Sequence, residues 1–234
     1  MTLAQAGAEH GTVIVADSQT AGRGRHGRIW FSPPGLNLYC SVLVRTTLPP
    51  ASLSWIPFAA ALAADAATRA VAAIPLSLKW PNDLLLDGRK VGGLLCESGG
   101  LGTAEAFVVI GLGLNVNVSG DAFPPELRSI AGSLQERTSQ PINRNRLLAR
   151  WLLELEQLLD GLTASGSQPL REAYVARCST IGRRVKVLLG KDQELTGRAQ
   201  GIGEDGALQL LPDHGDPAPT IIEIRAADVV HLRE

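Results

Sequence analysis

The chain has 234 residues and a mass of 24.7 kDa; 45% of its residues are hydrophobic and 19% charged, which allows a substantial core and excludes a disordered chain. A net charge of −1 and a pI near 6.4 exclude a dedicated nucleic-acid binder built on a large basic excess. Scattered Cys40, Cys96 and Cys178 form no CxxC pair, and His10, His26, His214 and His231 have no metal-ligand spacing, so neither a disulfide framework nor a zinc site is expected.

In chain order, residues 12–16 form an apolar run that predicts a strand. The N-terminal residues before it carry no signal-peptide pattern, so a soluble, cytoplasmic protein is expected. Residues 36–44 alternate, placing Leu36, Leu38, Cys40, Val42 and Val44 on one face of a second strand. The alanine-rich stretch 51–73 predicts a helix; Asp65 and Arg69 inside it exclude a membrane span. Residues 76–80 predict a short strand ending at Pro81. Asp87-Gly88 between apolar runs predicts a hairpin, because a type I′ turn needs positive φ at both central residues. Residues 107–118 predict a strand in which Gly111 and Gly113 indicate a bulge or a close approach of backbone to ligand.

Residues 143–162 carry Leu147, Leu148, Trp151, Leu152, Leu155, Leu158, Leu159 and Leu162 at helical spacing, a core stripe. After Cys178 short strands are expected at 185–189, 195–202, 207–211, 220–224 and 229–232, punctuated at Gly190-Lys191 and Glu204-Asp205-Gly206. That is the texture of a small β-barrel. Two domains are therefore expected, residues 1–178 and 179–234.

The run Gly22-Arg23-Gly24-Arg25-His26-Gly27-Arg28 concentrates cations among glycines that cannot shield them. Arginine matches carboxylate and phosphate oxygens, so an anionic ligand is expected, and without one the loop has little to hold it. The run also satisfies GxGxxG. A dinucleotide fingerprint must open a helix, however, and Pro33, Pro34 and Gly35 follow instead.

This run with Trp30-Phe31-Ser32-Pro33 and Leu36-Asn37-Leu38-Tyr39 resembles the signature of biotin protein ligases. Three further segments stand in matching order and spacing: Lys79-Trp80-Pro81-Asn82-Asp83-Leu84, Lys90-Val91-Gly92-Gly93 with Glu97, and Gly111 to Asn117. The resemblance implies an α+β fold: a mixed-sheet catalytic domain of the biotin/lipoate protein ligase (class II synthetase-like) type and a C-terminal SH3-like β-barrel. It implies an ATP-dependent, AMP-forming ligase that makes biotinyl-5′-AMP and transfers biotin to a lysine of a carboxylase carrier domain. ATP and biotin are then substrates, and Mg²⁺ is held mainly through nucleotide phosphates.

The resemblance assigns catalysis to Lys90, Arg25 and Asp83, with Lys90 bridging the biotin carboxylate and the α-phosphate and Asp83 orienting the acceptor lysine. Biotin would meet Gln19, Arg23, Gly24, Arg25, Trp30, Lys90, Gly92 and Gly93. The nucleotide would meet Arg23, Arg25, Arg28, Lys79, Asn82, Lys90 and Asn115. His26 stands where many relatives carry another arginine. The Asp-Ser-Thr-Asn-like segment that the family usually carries upstream of the basic loop has no match within residues 1–20. No winged-helix segment precedes the loop, so no DNA partner is expected; a homodimer is compatible with the resemblance. The alternatives are a lipoate–protein ligase-like acyltransferase and a non-catalytic protein that binds an adenylate or nucleic acid.

Overall fold

A computed structural model describes residues 1–190, 193–214 and 220–232. The elements in chain order are α1 (Thr2–Gln5), β1 (Val13–Ala16), β2 (Leu38–Arg45), α2 (Pro50–Leu53), α3 (Ile56–Ala72), β3 (Ser77–Lys79), β4 (Asp83–Leu86), β5 (Arg89–Gly99) and β6 (Phe107–Leu114). There follow α4 (Arg144–Ser165), α5 (Gln168–Val175), β7 (Arg184–Leu188), β8 (Glu194–Ile202), β9 (Leu208–Pro212), β10 (Ile222–Ile224) and β11 (Asp228–His231).

The first six strands form one sheet in the order β1-β2-β6-β5-β4-β3. Its ladders are antiparallel, because β3 to β6 are joined by short connections that reverse direction at each step. Its mixed character is confined to two isolated parallel bridges, Leu78 with Cys178 and Lys90 with Ala131. The Asp87-Gly88 turn has φ of 50° and 78°, the positive pair that the hairpin demands.

The alternation of β2 holds: Leu38, Cys40, Val42 and Val44 face the main core, as do Val108, Ile110, Leu112 and Leu114 of β6. The expected helix over 51–73 is two helices, α2 and α3, with Ser54 and Trp55 between them. The small side chains Ala59, Ala60, Ala63, Ala64 and Ala67 are buried, so α3 lies close on the sheet and on α4. Asp65 is buried with charge partners on both sides, Arg69 at 2.9 Å and Arg177 at 3.1 Å, and also accepts from the Leu76 N–H at 2.7 Å. The carboxylate thus ties α3 to the segment after α5 and to the approach to β3. No helix among the described residues is long and apolar enough to cross a membrane.

The second sheet is antiparallel, in the order β10-β9-β8-β7-β11. Its outer strands are consecutive in the chain, from Ile224 to Asp228. Four residue steps reach about 14 Å, whereas four interstrand spacings of a flat sheet need about 19 Å. The sheet must therefore curl, and the barrel texture of the sequence follows from that short link. Of the expected Gly190-Lys191 turn, Lys191 lies outside the described residues.

The two sheets share one core. Val185, Val187, Ala199, Ile202, Leu208 and Leu210 are continuous with the cluster that contains Trp55, Phe58, Trp80 and Tyr174. Two indole N–H groups cross the boundary: Trp55 donates to the Glu204 carbonyl at 2.7 Å and Trp80 to the Gly206 carbonyl at 3.0 Å.

Candidate active site

Strand register builds the site. Ala16, Tyr39, Gly113, Gly93, Asp83 and Lys79 stand opposite one another in turn, one from each strand of the first sheet. Directly opposed residues share a face, so this row crosses the side of the sheet turned away from the main core. The next row is Ile14, Ser41, Gly111 and Leu95. Small residues at the middle of both rows leave a trough, closed at its far end by Ala4 of α1 packed with Leu43 and Phe107.

Lys90 reaches this face through an irregularity. The β4–β5 register shifts between Leu84 and Leu85, so Leu84 opposes Gly92 while Leu85 opposes Lys90, leaving Val91 as the extra residue. A β-bulge of this kind re-aims one side chain without ending the strand. Lys90 Nζ forms an ion pair with Asp83, next to Gly93 in the row. A methyl group on Gly93 would stand 3.3 Å from Lys90 Cε, so the glycine provides the space that the lysine uses.

Trp30 closes the near end of the trough. Its indole lies over Gly113, where an added Cβ would stand 2.7 Å from Nε1, and the Lys90 ammonium is 5.6 Å from its ring centroid. Trp30 Nε1 is buried and has no hydrogen-bond partner among the described residues, a donor aimed into an otherwise apolar contact.

The basic run is a hairpin, not the unsupported loop expected from its composition. Trp30 N–H donates to the Gly22 carbonyl at 2.9 Å, Gly24 N–H donates to the Arg28 carbonyl at 2.7 Å, and Arg23 bridges Ile29. His26 and Gly27 turn its tip with φ of 56° and 72°. Arg23 pairs with Glu97 at 3.2 Å. Arg25 donates to Asn82 Oδ1 at 3.4 Å and to the Ala227 carbonyl at 3.1 Å. Burial pulls the Arg25 guanidinium below its ordinary pKa, and the neighbouring Asp228 carboxylate opposes that. Arg28 reaches Asp228 at 2.8 Å.

The fold thus brings Lys90, Asp83, Gly93, Trp30, Arg25 and Asn82 together, with Arg23, Gly24 and Arg28 on the overhanging hairpin. Gln19 lies at the hairpin's base, where its Oε1 accepts from Ser32 at 2.8 Å. Lys79 ends the row; burial lowers its pKa, with the Asp83 charge working the other way.

Two expected residues stand apart. Gly92 faces the core, where an added Cβ would meet Leu114 and Leu84 at 2.9 Å, because the bulge gives it the opposite orientation from Gly93. Asn115 is buried, and its side-chain amide donates to the Gly132 carbonyl at 3.0 Å, bracing the 130–133 loop.

Ser41 on the trough floor and Asp228 stand outside the expected set, whereas Gly111 beside Ser41 and Glu97 lie in segments the sequence had singled out. The glycines of β6 were legible from their place inside a strand. Asp228 carried no signal, being some 200 residues away from the hairpin that it binds.

A sheet carrying a lysine–aspartate pair under an arginine hairpin, with a curled second sheet attached, is the arrangement of a protein ligase, as the family matches show. Residues 2–115 match the Biotin/lipoate A/B protein ligase family and residues 180–232 the Biotin protein ligase C terminal domain. The biotin–[acetyl-CoA-carboxylase] ligase of Mycobacterium tuberculosis is 38% identical over 227 residues, covering 95% of this chain and 80% of that protein. The bifunctional ligase/repressor BirA of Bacillus spizizenii is 34% identical over 229 residues, covering 97% of this chain and 68% of that protein. The biotin protein ligase from Aquifex aeolicus, solved in complex with biotin and ATP, superposes with a TM-score of 0.81 at 30% identity, covering 100% of this chain and 94% of that one. The chain belongs to the biotin protein ligase family.

Proposed function

We propose that this protein activates biotin with ATP and transfers it to a lysine of a carboxylase carrier domain. The observation that carries the proposal is the row Gly113, Gly93, Asp83 with the bulge-directed Lys90 at its edge and the arginine hairpin above. A neutral ring system fits a trough floored by glycine and serine, and its carboxylate would then meet a preformed cluster of cations.

In the first step a biotin carboxylate oxygen attacks the α-phosphorus of ATP, forming biotinyl-5′-AMP as pyrophosphate leaves. Both partners are anions, so fixed positive charge is the main requirement. Lys90 meets both the carboxylate and the α-phosphate, and Arg25 and Arg28 meet nucleotide oxygens. Asn82 is suited to hold Arg25, since it accepts from that guanidinium while its own amide donates to the Leu94 carbonyl at 2.6 Å. Trp30 would offer biotin its aromatic face.

In the second step the acceptor lysine attacks the carbonyl carbon, the amide forms and AMP leaves. A lysine of ordinary pKa, about 10.4, is a poor nucleophile until its proton is taken. Asp83 is the carboxylate beside Lys90 and takes the role of orienting that amine and accepting its proton. Any Mg²⁺ would be held mainly by the nucleotide's phosphates, where it would offset their negative charge.

Residues 1–178 would form the catalytic domain and 179–234 the C-terminal domain. Three free cysteines, Cys40, Cys96 and Cys178, suit the cytoplasm. The carrier domain is the protein partner in this reading, and a homodimer would repeat the site. The test is AMP release that depends on both biotin and ATP, followed by biotin appearing on a carrier domain. AMP release driven by lipoate or octanoate better than by biotin would overturn the choice of substrate.

A further inference from the structure

Asp228 belongs to the barrel, at the start of β11, where it pairs with Leu188 of β7. Its Oδ1 lies 2.8 Å from Arg28 Nη2, 3.8 Å from His26 Nε2 and 3.9 Å from Arg25 Nη1. Next to it, the Ala227 carbonyl accepts from Arg25. One carboxylate oxygen thus serves three side chains of the anion-seeking hairpin, and Glu97 holds a fourth, Arg23, from the other side. Like charges at this spacing repel unless neutralised, and Asp228 supplies to these side chains the negative charge that a phosphate would also bring.

We propose that Asp228 is a positioning residue, the resting counter-ion of the basic hairpin, and that a ligand phosphate displaces it from Arg25 and Arg28. This rests on the ligase function proposed above. The barrel then sets how readily the hairpin gives up its arginines. The carboxylate holds the hairpin's shape, and it competes with the nucleotide for the same guanidinium groups. A phosphate has more oxygens and more charge than a carboxylate, so it wins once biotin and the nucleotide are both in place.

The test compares full-length wild type with Asp228→Asn and Asp228→Glu. Amide hydrogen exchange over residues 22–30 is read without ligand, and binding is measured for ATP with biotin and, separately, for inorganic pyrophosphate. Asp228→Asn should speed exchange at the Gly24 and Trp30 amides by about 10-fold and tighten binding of both anions by about 3- to 10-fold. Asp228→Glu should restore both values toward wild type. Unchanged exchange with weaker anion binding in Asp228→Asn would overturn the proposal, because the carboxylate would then support the occupied state. Wild type that binds pyrophosphate but not ATP with biotin would contradict the ligase function while leaving the counter-ion role standing.

Discussion

Lys90 and Gly92 are two apart on β5, and in an unbroken strand both would face the same way. The extra residue Val91 separates them, so Gly92 packs against Leu84 and Leu114 while Lys90 reaches Asp83. Replacing Lys90 by Ala removes a half-exposed side chain and no core contact. The variant should keep its melting temperature while adenylate formation falls by at least about 100-fold, the scale of losing one preorganised charge. Gly113→Ala places a methyl 2.7 Å from Trp30 Nε1 and pushes the indole off the sheet. The KM for biotin should rise about 10-fold with a smaller change in kcat, measured under saturating ATP.

At the same scale, His231 on β11 is held down from its ordinary 6.5 to about 4, chiefly by burial and further by the charges of Lys79 and Arg183, with Asp83 opposing. Its Nε2 lies 3.1 Å from the Thr180 hydroxyl, whose oxygen accepts from the Trp80 N–H. The folded state keeps the imidazole neutral while the unfolded chain protonates it. Stability is therefore complete above pH 6.5 and declines as the pH falls toward about 4. Because the ring is only half-buried, solvent screening limits the effect to about 1 kcal/mol. Urea midpoints at neutral pH and near pH 5 should differ more for wild type than for His231→Gln.

At the level of elements, sequence pattern located most strands because their two faces differ. The alternation of residues 36–44 predicted β2, and Asp87-Gly88 marked the β4–β5 turn. The C-terminal strands fell within a few residues of their expected bounds. The break between α2 and α3 stayed hidden because nearly every residue there is small or apolar, which blurs helical periodicity. β6 ends at Leu114, four residues before the apolar run does, because Asn115 leaves the ladder to brace a loop. The resemblance assigned Gly92 to the site, but the register shift turns it to the core, and a bulge leaves no signal in composition. The junction between the two sheets uses backbone carbonyls that no side-chain pattern reports. Trp80→Phe removes the bond to Gly206 and leaves that carbonyl without the indole donor, so stability should fall by about 1–2 kcal/mol, read as a lower urea midpoint.

For the whole molecule, catalytic sheet and barrel share one apolar cluster, and β11 sends Asp228 to the hairpin and His231 to Thr180. Two separately stable domains would unfold in two steps. This chain should unfold in a single calorimetric transition, with calorimetric and van't Hoff enthalpies in agreement.

A trough whose cations activate a carboxylate with ATP must also run that step backwards, so biotin should drive exchange of labelled pyrophosphate into ATP. With Mg²⁺ present and no acceptor protein, exchange should rise well above background with biotin and be lost in Lys90→Ala. Folded wild type that supports no biotin-dependent exchange would show that the site does not adenylate biotin.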